Sequence, residues 1–504
     1  MDSTFFLSTS ANSYMYDYNL GSFTICHPLI KLFYYLDCKE QPPLTNKQII
    51  SRALSETHDF VRVEVDYYYK KYNHLKNCGY FSSINKNSKI KFSAEIIETA
   101  FYNASHIVFE VTDACNLKCK YCGYGEFYGR NDDRNNEFMS FETIKNFIDH
   151  FFPIWNSNKN DSSIKPVSIG FYGGEPLLNI EVIKETVCYL NSLPDSTRRF
   201  HYHMTTNAVL IDKYIDFLID NEFSLLISLD GSEYDHSYRI FPNGKNSFNK
   251  VLSNIKIIKQ KNPSFFKNNV NFNSVLHDRN SVDSVTEFIK SEFDKNPRIN
   301  SLNTTGIINE KREEFGKMFN NLLSSSESSI KEEYLVLDLF SDDPRVRSLV
   351  RFLYWFGSNQ FDNYPNLFVN QTQDKPISTG TCLPFAKKLF LTVNNKIMAC
   401  ERISQDFILG EIVNNKIKIN FHKIANIYNK YFDKIYSQCK NCYRSGRCDQ
   451  CIFHLDGLDE LNKDIRCSGF QSKTGLTTVI KRNIQLLEKY PVLHSKIIKE
   501  LNYT

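Results

Sequence analysis

Ten of the 14 cysteines fall into two groups, and their spacing is the first chemistry the chain offers. Cys115, Cys119 and Cys122 stand as C-x3-C-x2-C in the segment FEVTDACNLKCKYCGYG. Three thiolates on one short loop can hold three corners of an iron–sulfur cube, whereas a complete 4Fe–4S site normally takes four. The next cysteine, Cys188, lies 66 positions on. The fourth iron is then open to another ligand. A zinc loop would need a fourth ligand, and no nearby His or Cys supplies one. The second group is Cys382, Cys400, Cys439, Cys442, Cys448, Cys451 and Cys467. A single zinc ribbon from Cys439 to Cys451 is the simpler alternative, but it leaves Cys382, Cys400 and Cys467 unused. Cys26, Cys38, Cys78 and Cys188 are scattered and read as core or incidental thiols.

Composition narrows the class. The chain has 504 residues, of which 41% are hydrophobic and 23% charged, as in a globular protein of about three domains. Its formal charge of +4 argues against a nucleic-acid partner. No run of about 18 apolar residues exists to span a membrane. The opening MDSTFFLSTS lacks the basic start and apolar core of a secretory signal. A cytoplasmic location follows as an expectation, and there so many thiols suit metal clusters better than disulfides.

Positioning elements can be read around the cysteines. Residues 1–95 look like a small unit of their own. Short β-like runs (TFFLST, SYMYDY, SFTICH) precede helical segments at PLIKLFYYLD, at NKQIISRALS and near 62–78, with Gly79 placed to end the last. Three strands with about three helices give a winged-helix-like pattern. It is either a structural cap or a module that offers a strand edge to a peptide. From 105 to 310 strand and helix alternate. The strands are HIVFEVT, VSIGFY, YHMTT, SLLISL and VNFNSV, with a weaker sixth near Ile299–Ile307. Repeating β-α units require parallel strands, and six of them predict an α/β fold, a partial (β/α)6 barrel. Chemistry in such barrels collects at the C-terminal strand ends. Residues 311–380 form a connecting segment, with an exposed loop at SSSESS and a helix around Val346–Phe356. Residues 381–470 hold the second cysteine group, and 471–504 read as terminal helix interrupted at Pro491.

The remaining motifs follow predicted strands. Gly173 and Gly174 let backbone approach a ligand closely, and Glu175 places a carboxylate for a cationic group. Thr205–Thr206–Asn207 follows the third strand and Ser228–Leu229–Asp230–Gly231 the fourth. His236 and Arg239 lie in the next loop, where either could simply orient it. Asn273 and Leu276 belong to the fifth strand.

The cysteine spacing, Tyr121 before the last cysteine and the position after the first strand together resemble the radical S-adenosylmethionine (SAM) superfamily. That resemblance implies that the open iron chelates SAM. One electron then cleaves the sulfonium to a 5′-deoxyadenosyl radical that abstracts hydrogen from substrate. It implies roles for Gly173, Gly174 and Glu175 at the methionine ammonium and for Asn207 near the SAM carboxylate or ribose. Ser228 would serve the carboxylate or ribose, and Leu276 the adenine. Ala208 stands where the family usually has Gly. The second cysteine group resembles the SPASM domain, which holds two auxiliary 4Fe–4S clusters. Cys439, Cys442, Cys448 and Cys467 would ligate the outer cluster, and Cys382, Cys400 and Cys451 the inner one, which keeps an open iron. Three features depart from the family pattern: x17 between Cys382 and Cys400, Asn395 at a glycine position, and x2 between Cys448 and Cys451.

Radical SAM plus SPASM resembles enzymes that modify peptides. The leading expectation is a maturase of a ribosomally made precursor. It would bind the leader on residues 1–95, draw electrons from a flavodoxin or ferredoxin, and install a thioether or carbon–carbon cross-link. One alternative is an anaerobic sulfatase-maturating enzyme, which makes formylglycine. That family has an Asp directly after the second SPASM cysteine, where this chain has Glu401, the candidate proton acceptor. Another alternative is a noncatalytic cluster-bearing docking or electron-transfer protein.

Overall fold

The computed structural model describes residues 3–501 except 9, 19, 21, 39, 41, 83–90, 129–134, 157–165, 194–199, 305, 322–324, 326–347, 354–378, 445–447, 456, 459–464 and 466. Strands β1 (Ser3–Leu7), β2 (Ser13–Asp17) and β3 (Ser22–Ile25) form an antiparallel sheet in that order. Side chains alternate between its faces. Met15 packs on Leu29, Phe33, Ile49, Val65 and Tyr72 of helices Pro28–Cys38, Asn46–Glu56 and Arg62–Asn77. Gly79 follows the last of these at φ +90°, the left-handed stop that the sequence predicts. Tyr14 and Tyr16 face the other way. They pack with Leu476, Ile480 and Ile484 of helix Lys473–Lys489 and Leu493 of helix Pro491–Leu501. Glu488 fastens this contact: one carboxylate oxygen accepts from Ser8, Asn12 and Tyr14 at 2.9, 2.7 and 2.6 Å. The first 95 residues therefore share a core with the last helices, a union that local sequence patterns do not reveal.

A second sheet has ten strands, in the order β13-β12-β11-β10-β4-β5-β6-β7-β8-β9. Its parallel part is β4 (His106–Thr112), β5 (Val167–Gly173), β6 (Phe200–Thr206), β7 (Ser224–Ser228), β8 (Val270–Leu276) and β9 (Arg298–Ser301). The five longer strands expected from the sequence fall within a residue or two of these bounds, and the sixth is shorter than expected. Apolar alternation explains the layering. Ile107, Phe109, Ile169, Leu225 and Phe272 are fully or nearly fully buried in one core with Phe147, Ile183, Val251 and Ile289 of the intervening helices. The opposite face carries polar residues in register, such as Glu110 beside Tyr172, Gly170 beside His203, and Ser228 beside Asn273.

The other four strands come from the second cysteine region. Strand β10 (Leu389–Leu391) pairs parallel with β4, matching Leu389 to Ile107 and Leu391 to Phe109. Strands β11 (Lys396–Met398), β12 (Gly410–Val413) and β13 (Lys416–Ile419) extend the sheet antiparallel. Asn395 turns the chain between β10 and β11 at φ +61°, so it takes the left-handed backbone that a glycine would supply. Asn420 caps helix Phe421–Asn441, which delivers Cys439. The expected helix near Val346–Phe356 is present over 348–353, and all of SSSESS except Ser325 lies outside the described residues. Among the described residues no helix is long and apolar enough to cross a membrane.

Candidate cluster and cofactor site

The loop after β4 carries Cys115, Cys119 and Cys122, and the fold straps it down twice. Lys118 N–H donates to Ile240 O at 2.7 Å and Lys120 N–H to Tyr238 O at 3.0 Å, joining it to the loop after β7. Between those anchors Arg239 reaches inward. Its guanidinium forms a two-point pair with Asp230, at 2.9 and 3.1 Å, with both side chains buried. Tyr121 donates its hydroxyl to Asp230, and Val275 N–H donates to the other carboxylate oxygen at 2.9 Å. The Tyr121 ring lies between the Arg239 guanidinium, 5.4 Å away, and the stacked His277 ring, 5.7 Å away. Burial pushes the Cys119 thiol up to about 12, and Arg239 is the cation that opposes it.

Beside this loop the two glycines have a geometric reason. A Cβ on Gly173, which sits at φ +138°, would stand 1.9 Å from Thr112 O, and one on Gly174 would stand 2.1 Å from Ala114 O. Only bare backbone lets β5 turn this close to the cysteine loop. Glu175 follows the two glycines. Its carboxylate is fully buried and turned inward, accepting from Thr206 Oγ1 at 2.7 Å, Asn207 N–H at 2.7 Å and Leu177 N–H at 3.2 Å. It braces the ends of β5 and β6. Burial pushes it up to about 7, against the pull of these donors. A carboxyl raised in the folded state stabilises below its unfolded value and loses that contribution as pH rises. Stability should therefore fall by about 3 kcal/mol between roughly pH 4.5 and 7. Glu175→Gln should flatten that slope and, by turning an amide donor toward the Asn207 N–H, cost about 1–3 kcal/mol. Denaturant titration across this pH range checks both.

The Asn207 side-chain nitrogen donates to Asn116 Oδ1 at 2.7 Å and Cys115 Sγ at 3.8 Å, and its oxygen accepts from Val209 N–H at 3.0 Å. Leu276 is fully buried in the helix-facing core. The neighbour Val275 is the residue that packs with Tyr121, because a strand reverses its side chains every residue. Ser228 lies buried at the end of β7, on the face that holds Asn273. Ala208, where the family pattern has Gly, is at φ +60°.

The second cysteine group divides in space. Cys439 lies within electrostatic reach of Cys448, Cys467 and Cys442, and burial, the larger cause, pushes its thiol up to about 12. Cys451 is within reach of Cys400 and Cys382, and burial pushes it up to about 11. Tyr428 feels all three thiols of this second set. Glu401 follows Cys400, with its carboxylate clamped by Lys388 at 2.8 and 3.0 Å. Burial alone would raise this carboxyl, but the Lys388 ammonium outweighs it and holds it below the usual range. Sequence reading missed Lys388 and also a histidine pair on the polar face of the sheet, His106 and His203, joined through their Nε2 atoms at 2.9 Å. Burial pushes them down to about 4 and about 3, so both stay neutral. Only a strand register places them side by side, and no short motif signals it.

Among the described residues no three His, Cys, Asp or Glu side chains form a site for a metal ion. The donor set nevertheless suits an iron–sulfur group. Three thiols share one strapped loop with a buried cation beside Cys119, and Cys115 Sγ faces N–H donors.

The family model of the Radical SAM superfamily matches residues 109–291. SAM and a 4Fe–4S cluster are the cofactors of that class. A cysteine-type anaerobic sulfatase-maturating enzyme of Clostridium novyi is 26% identical over 193 residues, which are 37% of this chain and 48% of that protein. The radical SAM cyclopropyl synthase TigE of Paramaledivibacter caminithermalis is 24% identical over 348 residues, 67% of this chain and 65% of that enzyme. The chain thus spans about half to two thirds of the length of these curated relatives. Among solved structures, native anSMEcpe with bound AdoMet and Cp18Cys peptide matches with a TM-score of 0.50 and 17% identity. The match covers 79% of this chain and 99% of that one, a likeness of fold.

Proposed function

We propose that this protein is a radical SAM peptide maturase that abstracts hydrogen from a ribosomally made precursor and installs a cross-link. The observation that carries this reading is the separation of the second cysteine group into two sets, Cys439, Cys442, Cys448 and Cys467 against Cys382, Cys400 and Cys451. Two sets suit two auxiliary 4Fe–4S clusters of a SPASM domain better than one zinc ribbon. On this reading β4–β9 with their helices form a partial (β/α)6 barrel, and Cys115, Cys119 and Cys122 hold the cluster that meets SAM. A cluster with SAM bound supplies the electron and the 5′-deoxyadenosyl radical. The chain's own residues do the rest. Gly173 and Gly174 shape the cofactor loop, and Tyr121 and Val275 wall it. Glu401, kept ionised by Lys388 and adjacent to Cys400, accepts the proton that the oxidised substrate releases. An external flavodoxin or ferredoxin supplies electrons.

The leader would dock on residues 1–95, in a winged-helix-like unit. Strand β3 is a sheet edge. Cys26 N–H donates to Ser13 O, so by antiparallel alternation the Ile25 N–H points away from β2. The Ile25 side chain is 76% exposed, and Val63 at 77% and Tyr67 at 60% are exposed on helix Arg62–Asn77. A strand added there would pair with free backbone and cover apolar side chains.

The test is anaerobic incubation of reduced protein with SAM and each short peptide encoded beside its gene. A peptide that loses two hydrogens supports the maturase. Conversion of a sulfatase Ser or Cys to formylglycine replaces it with the sulfatase-maturating alternative. Iron analysis should give about twelve irons per chain for three cubane clusters. About four would remove the auxiliary pair.

A further inference from the structure

We propose that Asn207 is a positioning residue for the first cluster: its side-chain amide donates to Cys115 and sets the potential of the group bound there. This rests on the reading of Cys115, Cys119 and Cys122 as cluster ligands. The resemblance alone would put Asn207 against SAM, but its polar atoms are committed elsewhere. One amide hydrogen goes to Asn116 Oδ1 at 2.7 Å and the other to Cys115 Sγ at 3.8 Å. Its oxygen holds Val209 N–H at 3.0 Å, and its own backbone N–H is held by Glu175 at 2.7 Å. Asn254 locks the following turn, donating to Ala208 O at 2.8 Å and Val209 O at 2.9 Å. With every partner fixed and only 7% of its surface exposed, the amide cannot rotate away.

Leu117 N–H points at the same sulfur from 3.4 Å. N–H groups donated to a ligating thiolate draw charge from sulfur and favour the reduced cluster. The end of β6 thereby reaches across β5 to act on a ligand that follows β4.

The experiment is an EPR-monitored redox titration of the anaerobically reconstituted full chain. It follows the iron signal that changes on addition of SAM, which marks the cluster with an open iron. Asn207→Ala should shift that signal's midpoint to more negative potential. Asn207→Asp keeps an acceptor for Val209 N–H but loses the donor, and should shift the midpoint the same way and further. If the alanine variant does not fold, the aspartate variant carries the test. Asn116→Ala removes a partner that holds the amide in place but not the amide itself, and should shift the midpoint less than Asn207→Ala does. A midpoint in Asn207→Ala equal to that of the unmodified chain overturns the proposal. So does an equal shift in Asn116→Ala. If the unmodified chain shows no SAM-responsive iron signal, the cluster reading falls and this inference falls with it.

Discussion

Replacing Cys119 by alanine should abolish release of 5′-deoxyadenosine from reduced protein and SAM, a loss of at least about 10³-fold, or roughly 4 kcal/mol in barrier. The reason is geometric. Cys119 is the middle thiol of three on one loop, half-buried beside Arg239, and the loop has backbone anchors on either side of it at Lys118 and Lys120. No neighbouring cysteine can slide in without breaking those anchors. Chromatographic detection of 5′-deoxyadenosine measures the effect. Cleavage persisting in the variant would remove Cys119 from the ligand set. Cys188 is the control: it is exposed on helix Ile180–Ser192, and its alanine variant should cleave SAM as the unmodified chain does.

The largest effect on stability is expected at Arg239. Its partner Asp230 has no exposed surface, and its carboxylate accepts four hydrogen bonds: two from the guanidinium, one from Tyr121 and one from Val275 N–H. Arg239→Met would leave that carboxylate buried with its charge uncompensated, at a cost of about 3–5 kcal/mol. Arg239→Lys should cost less, because the charge stays while the fork geometry is lost. Burial works to raise the Asp230 carboxyl, and Arg239 outweighs it, holding the group below its ordinary value. A carboxyl lowered in this way stabilises above the unfolded value of about 3.9 and loses that contribution as pH falls. The destabilisation in Arg239→Met should therefore be full at neutral pH and shrink in acid. Chemical denaturation at both ends of that range decides it. A difference under about 0.5 kcal/mol at neutral pH would show that the pair carries no stability.

Much of this was legible in residue order. Long apolar strands between amphipathic helices are strong periodic signals, and the parallel sheet follows from them. Cysteine spacing is equally local. Asn395 was readable because few residues other than glycine tolerate its backbone turn. What stayed hidden is long-range or short. Strands β10 and β11 have three residues each, too few for any alternation to show. The inward turn of Glu175 depends on Thr206 and Asn207, about thirty positions away. The exchange of Leu276 for Val275 near Tyr121 is a matter of strand register, which a motif search does not see. The shared core of the two chain ends depends on tyrosines whose partners are more than four hundred residues distant.

The parallel pairing of β10 with β4 has a consequence for how this protein can be dissected. A fragment that stopped before β10 would expose the unpaired edge of the strand leading into the three-cysteine loop. Such an edge invites adhesion to other chains. The two portions are therefore complementary halves, and coexpressing them as separate polypeptides should rescue each from aggregation. A hybrid that borrows the C-terminal portion from another enzyme must import a matching strand along with its thiols.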